Sequence, residues 1–135
     1  MLEKDYIMRL IRQFFEALEK LIEKRGKEEG TTLQIDVNGM YRSYFHQPQD
    51  FFYEAGMDII LAYMQARFSE EECLQRMELL AELLRFDASL KPSTEEGQML
   101  NEKALELLTF ADTHSDTFSL ERRRKMEEIN AQLKA

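Results

Sequence analysis

The stretch "ADTHSD" sets Asp112, His114 and Asp116 two residues apart. Alternating carboxylate, imidazole and carboxylate could supply oxygen and nitrogen ligands to a divalent metal. The competing reading is a polar loop between helices, in which Asp and Ser serve as turn and cap residues. We expect the loop, and with it no metal and no cofactor. His46 stands beside Gln47 and Pro48 at a helix end, where an imidazole suits the dipole, and it has no motif partner. Cys73 falls in the first turn and a half of a helix, a position that can lower a thiol pKa. Glu70, Glu71 and Glu72 stand directly before it and favour the thiol, so Cys73 reads as a small, partly buried apolar residue. Those three glutamates diverge by about 100° from one to the next. They complement a helix N-terminus and do not converge as an acid–base pair. Arg122, Arg123, Arg124 and Lys125 form a basic run in the first turn of the last helix, against the macrodipole. As an external patch it would suit nucleic acid, but no aromatic residues are interleaved for stacking on bases. We expect it to contact acidic side chains of its own chain. There is no glycine-rich phosphate loop, no Ser nucleophile elbow and no Cys-x-x-Cys. No catalytic residue can be named, and the chain reads as a non-enzyme.

The 135 residues suit one domain, with 44% hydrophobic and 33% charged residues, as a folded chain requires. Five Gly and two Pro are too few for a loop-rich β fold. The net charge of −8 is unevenly placed. Residues 1–30 carry seven acidic and seven basic side chains, residues 31–121 carry seventeen and six, and residues 122–135 carry two and five. An acidic middle repels phosphate backbones, which argues against nucleic acid as the main partner. One cysteine suits a reducing compartment, "MLEKD" has no apolar run of a secretory signal, and "GMDIILAYM" is far short of the ~20 residues that span a bilayer. A cytoplasmic protein of bacterial type, with no membrane partner, is the expectation.

The elements follow from periodicity. In "EKDYIMRLIRQFFEALEKLIEKR", Ile7, Leu10, Ile11, Phe14, Leu18, Leu21 and Ile22 share one helical face, and Tyr6, Met8, Phe15 and Ala17 widen it to an arc of roughly 200°. Asp5 is the expected N-cap, Gly26 the stop, and "GKEEGTT" a loop. Residues 31–46 are ambiguous. Leu33, Ile35 and Val37 alternate before Asn38-Gly39, a strong hairpin signal. Leu33, Val37, Met40, Tyr41, Tyr44 and Phe45 make a helical face of six, and no other strand exists to pair with. A helix from about Ile35 to Phe45 is therefore expected, with Tyr41, Tyr44 and Phe45 mostly buried. A third helix should run from Gln49 to Arg67 with Phe52, Ala55, Ile59, Ala62, Tyr63 and Ala66 on one face. Ser69 and Glu72 read as a capping box opening a helix to about Leu90. Ser93 or Thr94 should cap the fifth helix, "DTHSDTF" should be a loop, and Ser119 should cap the sixth.

The run "EKDYIMRLIRQ", the segment "MYRSYF" and the later "EKALELL" resemble a family of small bacterial helical proteins of unknown function. Their opening helix carries a similar "KDYIMRxI" run and their later helices are tetratricopeptide-like. The resemblance implies a helical-repeat-like fold and carries over no functional residue. The second and fourth helices start 34 residues apart, at Ile35 and Ser69, which is the tetratricopeptide period. The expectation is thus an all-α single domain over 1–135. An amphipathic helix occupies 1–30, and about six helices in all form antiparallel, right-handed, α-solenoid-like hairpins.

Its expected function is a non-catalytic protein-interaction module, binding a protein or peptide segment or its own twin. The first helix is expected either to fold back across the concave face of the hairpins or to pair, as a homodimer, with the same helix of a second copy about a two-fold axis. The first helix offers Ile7, Ile11, Phe15 and Ile22 to a partner. Tyr41, Tyr44 and Tyr53, from the aromatic cluster around Pro48, offer a second surface. The alternatives are a nucleic-acid-associated regulator using 122–125 and a metal-assisted enzyme near His114.

Overall fold

Good helix formers and 3.6-residue periodicity produce helix throughout: among the described residues there is no strand. The structure, a computed structural model, describes residues 2–27 and 30–134, and the side chains of 4–27 and 32–134. The helices are α1 (Leu2–Gly26), α2 (Gly30–Phe45), α3 (Gln49–Glu54), α4 (Met57–Arg67), α5 (Glu70–Ser89), α6 (Thr94–His114) and α7 (Leu120–Lys134). They group into two compact units, Met1–Glu54 and Ala55–Ala135. Within the first unit α1 packs on α2.

In the first unit, α1 buries Leu10, Phe14, Leu18 and Leu21, and α2 buries Leu33, Val37, Met40, Tyr41 and Phe45. The Phe14 ring meets Tyr44 and Phe45 edge-on at 5.3 and 6.1 Å. Such pairs contribute about 0.5–1.5 kcal/mol beyond their area. On α3, Phe52 stacks on Tyr41 at 5.5 Å and meets Phe45 at 6.3 Å. The Asn38-Gly39 pair is helical, as the six-residue face predicts. Asn38 accepts a hydrogen bond from Gln34 one turn earlier, at 3.0 Å. Asp5 is not a cap: α1 already begins at Leu2, so Asp5 lies in an early turn, where its charge still suits the N-terminal dipole. The expected loop over 26–32 is shorter than drawn, since Gly30 to Thr32 are helical, while residues 28 and 29 lie outside the described residues. After α2, His46 takes a left-handed conformation, φ 63°, and donates its N–H to the Arg42 carbonyl at 3.2 Å. That is how a helix C-terminus commonly closes.

The expected continuous helix over 49–67 is interrupted. Gly56 is extended (φ −70°, ψ 164°) and starts α4 afresh, giving seven helices among the described residues and not six. The break shifts the phase of the pattern. Ile60 and Met64 are buried, while Ile59, Ala62 and Ala66 of the expected face are exposed. In the second unit, α5 and α6 form an antiparallel pair held by Met77, Leu80, Leu84, Leu100, Leu107 and Leu108. Gly97 permits a close approach: a Cβ there would lie 3.2 Å from the Ala88 carbonyl oxygen. Ser93 caps α6, accepting from the Glu96 N–H at 3.4 Å, and Ser119 accepts from the Arg122 N–H at 3.1 Å. Ser69 stands at the N-cap of α5 but makes no side-chain cap bond. Its expected partner Glu72 instead accepts from Arg76 at 3.2 Å, so the capping box does not form.

Candidate functional site

The basic run is built into the second unit. Arg122 is 4% exposed; its Nε donates to Asp112 at 2.9 Å, its NH2 to the Thr117 carbonyl at 3.1 Å, and its NH1 lies 3.5 Å from Glu78. Arg123 meets the other Asp112 oxygen at 2.7 Å, and Lys125 meets Glu82 at 2.8 Å. Further along, Arg85 meets Glu128 at 3.3 Å. Positions 78, 82 and 85 on α5 thus answer 122, 125 and 128 on α7, rising together, so these two helices run parallel with α6 antiparallel to α5. Burial pushes the Glu78 carboxyl up, against the opposing pull of Arg122 and Lys125. Desolvation would also raise Asp112, but the hydrogen bond from Arg122, with the charges of Arg123 and Arg122, outweighs it and holds that carboxyl below the usual range. Of the run, Arg123 and Arg124 are exposed.

Beside this network lies an open cleft of about 770 Å³, lined in part by Glu70, Glu71, Cys73, Glu78, His114 and Asp116. Helix α6 continues through His114, so Asp112 and His114 are not in the loop expected of "DTHSDTF". Two residues on a helix diverge by about 200°, which sends Asp112 to the arginines and His114 to the other side. His114 stacks on Phe110 at 3.9 Å, and its Nδ1 lies 2.9 Å from the Phe110 carbonyl oxygen, which requires the proton on Nδ1. Among the described residues no group of three potential ligands could hold a metal ion. Cys73 is buried, with Sγ 3.5 Å from the Met64 carbonyl oxygen. Burial, with the Glu72 charge, raises its thiol, so it is a poor nucleophile.

The seven residues offered to a partner separate into two sets. Tyr41 is fully buried and has no surface to present; Tyr53, whose ring meets it, and Tyr44, whose ring meets Phe14 and Phe45, are half-buried. Tyr53 accepts a hydrogen bond from Gln34 at 3.3 Å. On α1, Ile7, Ile11 and Phe15 are half-buried and Ile22 is 44% exposed. Met8, which widened the apolar arc in the sequence, is 56% exposed on the same flank. The residues that sequence reasoning missed are Glu78 and Glu82. Each pair is about one helical turn apart, four residues for Glu78 and Glu82 and three for Arg122 and Lys125, and that was the signal that could have matched them. Among the described residues no helix is long and apolar enough to cross a membrane. No protein family, curated protein or solved structure matches the chain.

Proposed function

We propose that this chain is a non-catalytic protein-interaction module of helical-repeat-like type, and that the outer flank of α1 is its contact surface. One observation carries the reading: Met8 and Ile22 are exposed, in line with half-buried Ile11 and Phe15, on a helix whose other apolar face is already covered. Large aliphatic side chains aligned over four turns are costly to leave in water. The alternation of α5, α6 and α7 supports the repeat-like part of the proposal. Two observations count against the competing readings. Arg122, Arg123 and Lys125 are engaged by Asp112, Glu78 and Glu82, which leaves little of the run for phosphates. The Asp112 carboxylate, held by two arginines, is withdrawn from any metal set with His114.

A photoreactive amino acid in place of Met8, in the full chain and in the cell that makes it, tests the proposal. Irradiation should yield a covalent adduct with a protein. Absence of any protein adduct, while the same group placed at Met77 in the core links within the chain, would overturn it.

A further inference from the structure

Met8, Phe15 and Ile22 are spaced by seven, and Ile11 follows the first by three, while Leu18, the next in that pattern, is already buried in the unit's own core. The heptad spacing is that of the a positions of a coiled-coil seam. A straight helix drifts about 20° per heptad, so the three a positions stay within a narrow strip beside the face that packs on α2. The strip is edged by Arg12 and Glu19, each four residues after an a position. Both are exposed, and among the described residues neither makes an ion pair within the chain.

Resting on the interaction reading above, we infer that the occupant of this flank is α1 of a second copy of the chain, antiparallel about a two-fold axis beside Phe15. That axis sets Phe15 against the second copy's Phe15 and Met8 level with its Ile22. It also brings Arg12 within about one residue's rise, 1.5 Å, of the level of Glu19 in the other copy. The symmetry makes this pair twice. A parallel arrangement would instead face Arg12 and Glu19 with Ile7, Phe14 or Leu21, none of which carries charge, and would leave both charges unanswered. Lys4, at one end of the strip, falls level with Gly26, where no side chain opposes it. A seam of about four turns is a small interface, so the pairing should dissociate in the micromolar range.

Sedimentation of the full chain from about 1 μM to about 1 mM should show a monomer–dimer equilibrium. Arg12→Glu sets Glu against Glu19 at both pairs, and Glu19→Arg sets Arg against Arg12. Each should raise the dissociation constant about tenfold or more. An equimolar mixture of the two variants should regain wild-type affinity, because every 12–19 pair across that heterodimer is again of opposite sign. Both positions are exposed, so circular dichroism melts at concentrations below the dissociation constant should be unchanged. A monomer at every concentration, a dimer indifferent to either reversal, or a mixture no tighter than its components would each overturn the inference. The Met8 photoadduct separates the two levels of the argument. An adduct with another protein, from a chain that sediments as a monomer, removes the second copy and leaves the interaction module standing.

Discussion

Replacing Arg122 by Ala is the sharpest perturbation of the second unit. The change removes one short hydrogen bond to Asp112, one to the Thr117 carbonyl and the approach to Glu78. Breaking a buried pair from one side costs about 3–5 kcal/mol. Two features move the estimate to the lower end. Arg123 still holds Asp112, and Glu78 is only half-buried, so water can reach it. About 3 kcal/mol remains, which for a unit of this size lowers the melting temperature by on the order of 10 °C. Arg123 is 57% exposed at the side chain, and Arg123→Ala should cost under about 1 kcal/mol. Arg124→Ala should stay within about 0.5 kcal/mol. Salt separates them further. At about 1 M NaCl the Debye length is near 3 Å, so the Arg123 contribution should vanish while most of that of Arg122 persists. Circular dichroism melts of the three variants at low and high salt read the order directly. If Arg122→Ala melts within about 2 °C of the wild type, or loses less than Arg123→Ala, then the run is not the internal clamp described above.

The Asp112 carboxyl is held low in the folded chain, so its contribution is full above its unfolded pKa of about 3.9 and is lost as pH falls through the lower folded value. Asp112→Asn should therefore start less stable at pH 7 and lose less between about pH 4.5 and pH 2, as pH-dependent melts would show. Gly39 sits inside α2 with open space where a Cβ would go, so Gly39→Ala should raise stability by about 1 kcal/mol in urea unfolding. Alkylation of Cys73 by iodoacetamide at pH 7.5, followed by mass spectrometry, should be at least about tenfold slower in the folded than in the urea-unfolded chain, because only the thiolate reacts and the site is buried.

Where one periodic pattern ran unbroken, the sequence was a sufficient guide. The α2 face of Leu33, Val37, Met40, Tyr41 and Phe45 is buried, and the Asn38-Gly39 signal lost to it because an isolated hairpin has no sheet to join. The helix over 49–67 failed for a local reason. A single extended residue, Gly56, costs the pattern its phase, and glycine in a helix-rich segment announces no such break by itself. The Ser69–Glu72 box failed because Arg76, one turn on, competes for the same carboxylate. At the site, the intrachain use of Arg122 and Lys125 was legible as charge balance, but not their partners, since those depend on α5 and α7 running parallel. The exposed strip on α1 was hidden within a 200° arc, which periodicity alone cannot divide into covered and uncovered halves.

Helix α7 buries Arg122 and Ile129, half-buries Met126 and Leu133, and reaches α5 and α6 through ion pairs. This has a consequence for the order of assembly. Its partners Glu78, Glu82 and Asp112 stand on two different helices, and they come into register only once α5 and α6 have paired. Docking of α7 therefore belongs late in folding, after the transition state of the hairpin beneath it. Interactions formed that late act on the rate of unfolding and hardly on the rate of folding. Raising the ionic strength should then speed unfolding and lift the unfolding limb of the kinetics, while the folding limb stays in place. The last helix would serve as a charge-operated latch on a hairpin that forms without it.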